Sequence, residues 1–447
     1  ATAEIRAGAR VKAQRDILVE ADTERVLDYF TIAAAGGATT GISGAVSVLT
    51  AGARPDADAD SEIGDSVGEA ARKVSANAFG DQMDSDAGGT SASRDAANTA
   101  RARADVSDDM TAAVAPSSAR AAVASGATLT AGRDVRVDAR TATDADAIAV
   151  GVAVSGGASL GGGVALAFID DQTQAEAAGT ITAGRNVSVL AQDGPVSNDD
   201  QGLVVDLGDV DVNQRTTDST LLTFAGGGGV VGLGASVAIL NKDSDATARI
   251  GDHAVITALG TVPADPEGVT GLVTVDAGVD HNLSVKGMGA AVGLAGIGVA
   301  IAYATEDGDA TAQVGEEAQV TGKDLDVHAH SQTDTEVHVV AAAGGVVAGA
   351  GADANATDTS SATAEIEDDA VIRTLTGHTQ VRADVDPRAK AYALGAAVSA
   401  GVSIGVSLAE SRVETLARAA TGSDVDVMAD DLTLLAETKL RSNSAES

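Results

Sequence analysis

Val398-Ser399-Ala400-Gly401-Val402-Ser403-Ile404-Gly405-Val406-Ser407-Leu408 decides how the chain folds. Its large residues, Val398, Val402, Ile404, Val406 and Leu408, occupy even positions, whereas Ser399, Gly401, Ser403, Gly405 and Ser407 occupy odd ones. Period two puts one set on each face of a β-strand; a helix would scatter both sets around its circumference. The same alternation sets Val231, Leu233, Val237 and Ile239 against Gly232, Gly234, Ser236 and Ala238. It sets Ile297, Val299, Ile301 and Tyr303 against Gly298, Ala300 and Ala302. Ala147–Phe168 runs 22 residues without a charge, long enough for a hydropathy window to report a membrane helix, but the alternation makes it a strand. Both faces read as buried, the small one against a surface that comes unusually close. An outer-membrane barrel needs aromatic girdles, which 3 Tyr, 4 Phe and no Trp cannot supply.

Such runs return along the chain, at Ala147–Phe168, Leu221–Leu240, Met288–Ala304, Val339–Gly351 and Tyr392–Ala409, each followed by an Asp/Thr-rich stretch. A landmark tracks the return: Ala1-Thr2-Ala3-Glu4-Ile5, Ala246-Thr247-Ala248-Arg249-Ile250, Ala310-Thr311-Ala312-Gln313-Val314 and Ala362-Thr363-Ala364-Glu365-Ile366. Degenerate copies begin at Ala119, Ala175 and Ala417, so one Ala per copy gives positions 3, 119, 175, 248, 312, 364 and 417. The first step, of 116 residues, is two periods or one large insertion. A second landmark, Ala131-Gly132-Arg133-Asp134-Val135-Arg136-Val137, recurs as Ala183-Gly184-Arg185-Asn186-Val187-Ser188-Val189 and, more loosely, from Thr321 and Thr421. Glycine before Asp or Asn is turn chemistry, and the alternating Val after it is strand chemistry. Recurrence at this period means a repeat architecture that stacks supersecondary units.

Composition agrees. With 52 Gly, 6 Pro, no Cys and 2% aromatic residues in 447, the core must be thin and made of small side chains. A net charge of −36 argues against nucleic acid as a partner, because phosphate contacts need a basic face. The absence of cysteine excludes disulfides, thiolate metal sites and thiol nucleophiles. The chain begins inside a landmark and without Met, so it reads as an internal piece of something longer.

Three regions follow: residues 1–54 as the first solenoid repeat or repeats, 55–116 as an acidic Ala/Ser/Asp-rich insertion, and 117–447 as further repeats carrying a short acidic insert at 193–219. The first insertion has helical composition at Ser66–Phe79 and Ser91–Ala104 and is expected to be partly helical or disordered; the second has a strand pattern at Val204–Val212. The fold class is all-β, an elongated repetitive β-solenoid of Gly/Ala/Val-rich strands. With two or three strand layers per period, each period should advance the long axis by about 10–15 Å, giving a rod of roughly 70–100 Å.

Chemistry-bearing patterns are sparse. Gly401-Val402-Ser403-Ile404-Gly405 matches the nucleophile-elbow spacing but lies inside an alternating strand instead of a strand-to-helix turn, and no catalytic residue is assigned. His328-Ala329-His330 puts two imidazoles on one strand face at a spacing able to ligate zinc, with His338 nearby; polar alternation on an exposed strand explains the pair more simply. Calcium is the cation that the oxygen donors suit better. Asp56, Asp58 and Asp60 open an EF-hand-like loop, although Ser61 replaces its turn glycine and Val67 its closing Glu. Asp243/Asp245 and Asp307/Asp309 recur just before the landmarks and are the remaining calcium candidates, with Asp170/Asp171 before a degenerate copy.

The Ala-Gly-Arg-Asp/Asn-Val-x-Val segments at Ala131 and Ala183, the Ala-Thr-Ala-x-Ile landmarks and the Gly/Ala/Val runs together resemble the repeat regions of giant bacterial surface adhesins, leukotoxin-like and filamentous-haemagglutinin-like. The resemblance implies a β-solenoid stalk or filament segment, secreted and displayed at the bacterial cell surface, with adhesive or matrix-building roles and no catalytic residues. Its expected partners are neighbouring copies or flanking repeats, and host or neighbouring-cell ligands. A secreted β-helical enzyme or toxin with an acidic surface cleft is the alternative.

Overall fold

The computed structural model describes residues 1–52, 117–195, 205–206, 211–212, 219–261, 271–440 and 442–447. Every regular element among them is a β-strand, and none is a helix. The expected helical stretches Ser66–Phe79 and Ser91–Ala104, and the calcium candidates Asp56, Asp58 and Asp60, lie outside the described residues.

Ala3, Ala121, Ala175, Ala248, Ala312, Ala364 and Ala419 form one column, each the parallel register partner of the next. The chain therefore winds as a β-solenoid-like stack, with coil I at residues 1–52, II at 117–170, III at 171–243, IV at 244–307, V at 308–359, VI at 360–414 and VII at 415–447. Two sequence assignments move by two residues, because Ala121 and Ala419, and not Ala119 and Ala417, occupy the column. The long first step is one insertion, since Ala3 pairs directly with Ala121.

Register also corrects the expected advance per period. One landmark step is a single strand spacing, about 4.8 Å, so the column from Ala3 to Ala419 spans roughly 29 Å. A single strand such as Leu272–Val292 has a contour of about 65 Å. The contour of one such strand thus exceeds the length of the described column.

Two cores run through the stack. In the first, Leu129, Ile181, Ile256, Val320 and Ile372 meet Val137, Val189, Val275 and Val327 and the landmark column from Ala121 to Ile366, all fully or nearly fully buried. These bulky inward residues hold the short strands apart around a rounded head. The corner after the short Thr-Ile-Thr-Ala strand explains the second landmark. Arg133 grips Asp16 of coil I, Arg185 grips Asp134 of coil II, and each Asp also accepts from a backbone N–H of the next coil, Asp134 N at 3.3 Å and Asn186 N at 3.2 Å. The Asp or Asn after Arg is a side-chain rung between coils.

The second core is an arm in which each apolar run folds back on itself. Ala147–Phe168 covers the end of one strand, Val135–Ser155, and the start of the next, Ala158–Ala177, which are not paired with each other; each pairs with the adjacent coils. The small residues face inward between them: Ala145, Ala147, Ala149, Ala165 and Ala167 are wholly buried. At Gly151 a Cβ would overlap the Gly162 carbonyl oxygen, and at Gly289 the Val299 carbonyl oxygen. The two layers touch backbone to backbone, closer than the ~10 Å of ordinary stacked sheets. The bulky face points away from the other layer, and its side chains cover one another along columns: Leu166, Phe168, Val237, Ile239 and Ile301 are buried as expected, whereas on the terminal coils the same face is exposed, as at Ile42 and Val406.

Val204–Val212 contributes Val205–Asp206 and Asp211–Val212, a small antiparallel pair. Among the described residues no helix is long and apolar enough to cross a membrane.

Candidate functional site

Stacking in register turns sparse polar residues into clusters, because one outward position per coil becomes a column spaced at about 4.8 Å. Asp276 of coil IV is the register partner of His328 of coil V, which partners Arg382 of coil VI; beside them run Gly278, His330 and Asp384. The imidazoles of His328 and His330 stack with centroids 5.0 Å apart. Asp276 Oδ1 lies 3.0 Å from His328 Nδ1 and 3.6 Å from His330 Nδ1, and the three residues can each bring one ligand atom within 4.8 Å of the others. All three side chains remain a quarter to a third exposed, and the two histidines line a groove of about 210 Å³ together with Asp384, Asp386, Glu437, Arg382 and Lys439.

Their orientation is set from outside the trio. Gln192 of coil III donates to Asp276 Oδ2 at 3.0 Å, and His328 Nε2 meets Asp384 Oδ2 at 3.0 Å. A Cβ at Gly278 would collide with the His330 ring, so glycine makes the space that ring occupies. Burial alone would raise the Asp276 carboxyl, but the two imidazoles outweigh it and hold that group well below the usual carboxylate range. Burial likewise opposes protonation of His328, and the Asp276 and Asp384 carboxylates raise it. Sequence inspection found the two histidines and missed Asp276. The available signal was the match of Val273-Thr274-Val275 to Leu325-Asp326-Val327, which brings Asp276 onto His328. His338 does not join the cluster; it pairs with Glu336 at 2.7 Å and meets the Tyr392 ring at a tilt of 40°.

The recurring aspartates are brought together as expected. Asp243 partners Asp170 and Asp307, and Asp245 partners Asp309, whose carboxylate accepts from Ser361 Oγ at 2.5 Å. Partial burial, then repulsion from Asp245, Asp307, Asp170 and Asp309, pushes Asp243 up to about 6; Asp245, Asp307 and Asp170 are raised too, each by burial first. This ladder is outward-facing, and only its charge marks it as a place for a cation.

A third cluster was not foreseen. Between the head core and the arm core runs a buried polar seam in which Lys242, Glu306 and Asp358 are successive register partners, faced by Asp193 and His281. His281 Nδ1 meets Glu306 Oε1 at 2.7 Å and its Nε2 lies 3.4 Å from Asp193 Oδ1, all three side chains at 0% exposure. Asp171 accepts from Thr143 Oγ1 at 3.0 Å, and Asp358 from Ser360 Oγ at 2.7 Å and from Thr333. Burial and the Lys242 ammonium oppose protonation of His281; Glu306 and Asp193 overcome both and push it up to about 10. Burial, and then Asp193, pushes Asp171 up to about 6, and burial raises Glu306 and Asp358. These side chains are shielded from solvent and tie neighbouring coils together through ion pairs and hydrogen bonds.

Gly401–Gly405 lies within the strand Val371–Val413, Ser403 is exposed and partners Ala348, and no strand-to-helix turn accompanies it. No protein-family model matches the chain, and neither a curated protein nor a solved structure matches it.

Proposed function

We propose that the chain is a structural segment of a large secreted bacterial surface protein, a stalk or filament piece that serves adhesion or extracellular fibre assembly by stacking β-solenoid coils. What supports this reading is where the exposed bulky apolar side chains lie. Leu18, Tyr29, Phe30, Ile32 and Ile42 gather on coil I, and Val402, Val406 and Leu408 on coil VI beyond its pairing with coil VII, whereas inside the stack Ile148, in the column of Phe30, and Ile301 and Val237, in the column of Leu408, are buried. Among the described residues, no further strand pairs with the outer side of coil I or with Ala393–Val413 of coil VI on the side away from coil V, which leaves a row of backbone donors and acceptors at each end. Further coils, or a second copy, satisfy both ends at once, which gives the segment its extended form and its partners. The enzymatic alternative finds little in the groove beside the histidines, whose walls mix Arg382 and Lys439 with Asp384, Asp386 and Glu437 and make no acidic cleft.

The test is self-association. In sedimentation velocity the chain is expected to form end-to-end species that grow with concentration, and Val402→Lys/Val406→Lys to suppress them while keeping a β-type circular dichroism spectrum, since edge lysines block strand addition. A chain that stays monomeric at every concentration, with the variant indistinguishable from it, would contradict this reading.

A further inference from the structure

We propose that Asp276, His328 and His330 form a binding site for a zinc-class divalent cation that ties coil IV to coil V. The claim stands on geometry and donor chemistry, independently of the stalk reading. Tetrahedral ligands at about 2.0–2.1 Å from zinc lie roughly 3.3 Å from one another. Asp276 Oδ1 sits 3.0 and 3.6 Å from the two imidazole Nδ1 atoms, which brackets that spacing.

The trio is arranged as ligands more than as hydrogen-bond partners. Asp276 Oδ1 and His330 Nδ1 are shielded from solvent, and neither makes a hydrogen bond among the described residues. They converge on His328 Nδ1 without the angles that an N–H donor to a carboxylate requires. His328 Nε2 donating to Asp384 leaves the Nδ1 lone pair facing the site, the carboxylate–imidazole–metal arrangement that fixes a tautomer and raises ligand basicity. Gln192 does the same for Asp276 by engaging Oδ2, which leaves Oδ1 free to ligate. Residues from coils III to VI therefore hold a two-histidine, one-carboxylate set in place.

The donor set selects the ion. Imidazole nitrogen suits zinc and its first-row neighbours, whereas calcium takes six to eight oxygens. The groove side leaves the remaining positions to water. Bridging coils IV and V, the ion stabilises the folded stack by mass action.

The experiment uses the full chain, stripped with chelator and titrated with Zn2+ by calorimetry, and with Co2+ by visible absorption. Expected are one tight Zn2+ per chain that a large excess of Ca2+ does not displace, a higher melting temperature, and a Co2+ spectrum of low coordination number. His330→Ala and Asp276→Asn should each weaken binding at least tenfold. Gly278→Ala should do so as well, because its methyl displaces the His330 ring while leaving the strand in place; unchanged metal-free melts and circular dichroism check that these variants are folded. Weak, multi-site binding that the substitutions leave unaltered, or displacement of Zn2+ by Ca2+, would place the ions on the acidic surface and overturn the proposal.

Discussion

His281→Gln is expected to destabilise the protein by about 3–5 kcal/mol, the usual consequence of removing one partner from a buried ion pair. The imidazolium stands between Glu306 and Asp193 with no exposure to water, so its loss leaves two carboxylates facing each other across the seam. Equilibrium denaturation measures the loss, and adding Glu306→Gln should restore a large part of it, because the second carboxylate is then neutral. The pH dependence identifies the cause. The folded value of His281, about 10, lies above its ordinary 6.5, so its contribution is fully present below pH 6.5 and disappears as pH rises toward 10. Asp171 is shifted upward to about 6, so its ionisation penalises the folded state as pH rises from its ordinary 3.8 through 6. Both groups make the wild-type chain less stable on the alkaline side. In His281→Gln the slope above pH 6.5 should flatten; an unchanged slope, or a loss below 1 kcal/mol, would remove the seam from the stability account.

Gly151→Ala should cost about 2–3 kcal/mol, and Gly44→Ala within about 0.5 kcal/mol of nothing, although both glycines lie on strands of the same arm. A Cβ at Gly151 meets the backbone carbonyl of Gly162, which cannot rotate away, so the two layers must separate along their length. A Cβ at Gly44 has open space around it. Thermal melts of the two variants make the comparison directly. Equal effects at both sites would mean that the layers are not in backbone contact.

The strand character of the chain was legible in the sequence because period two survives in every apolar run. The landmarks were legible because the same inward Ala and Ile recur wherever a coil passes the head. What escaped was the third dimension of that repetition. Ala147–Phe168 reads as one run because its reversal, at Gly156 and Gly157, sits among glycines that give no contrast. Its bulky face is buried by neighbouring coils at Ile148, Leu166 and Phe168 and exposed at Val154, beside the reversal. Lys242, His281 and Glu306 look like ordinary polar residues in Asp/Thr-rich stretches and meet only through register and fold-back. Asp276 reaches the histidines the same way: of the candidate metal centre, His328 and His330 were visible and their carboxylate was not. Asp243, Asp245, Asp307 and Asp309 were found because they recur at one position of the repeat.

The central claim is that successive landmarks are neighbouring layers one strand spacing apart. Because the chain has no cysteine, a single pair can be introduced and spin-labelled without background. Glu4 and Ala420 occupy one column, joined through Ala122, Glu176, Arg249, Gln313 and Glu365. Nitroxides at Glu4→Cys and Ala420→Cys should give a narrow electron–electron distance distribution centred near 29 Å, six strand spacings, allowing for the label arms. A distribution centred at about 60 Å or beyond, as two or three layers per landmark would require, would contradict the account.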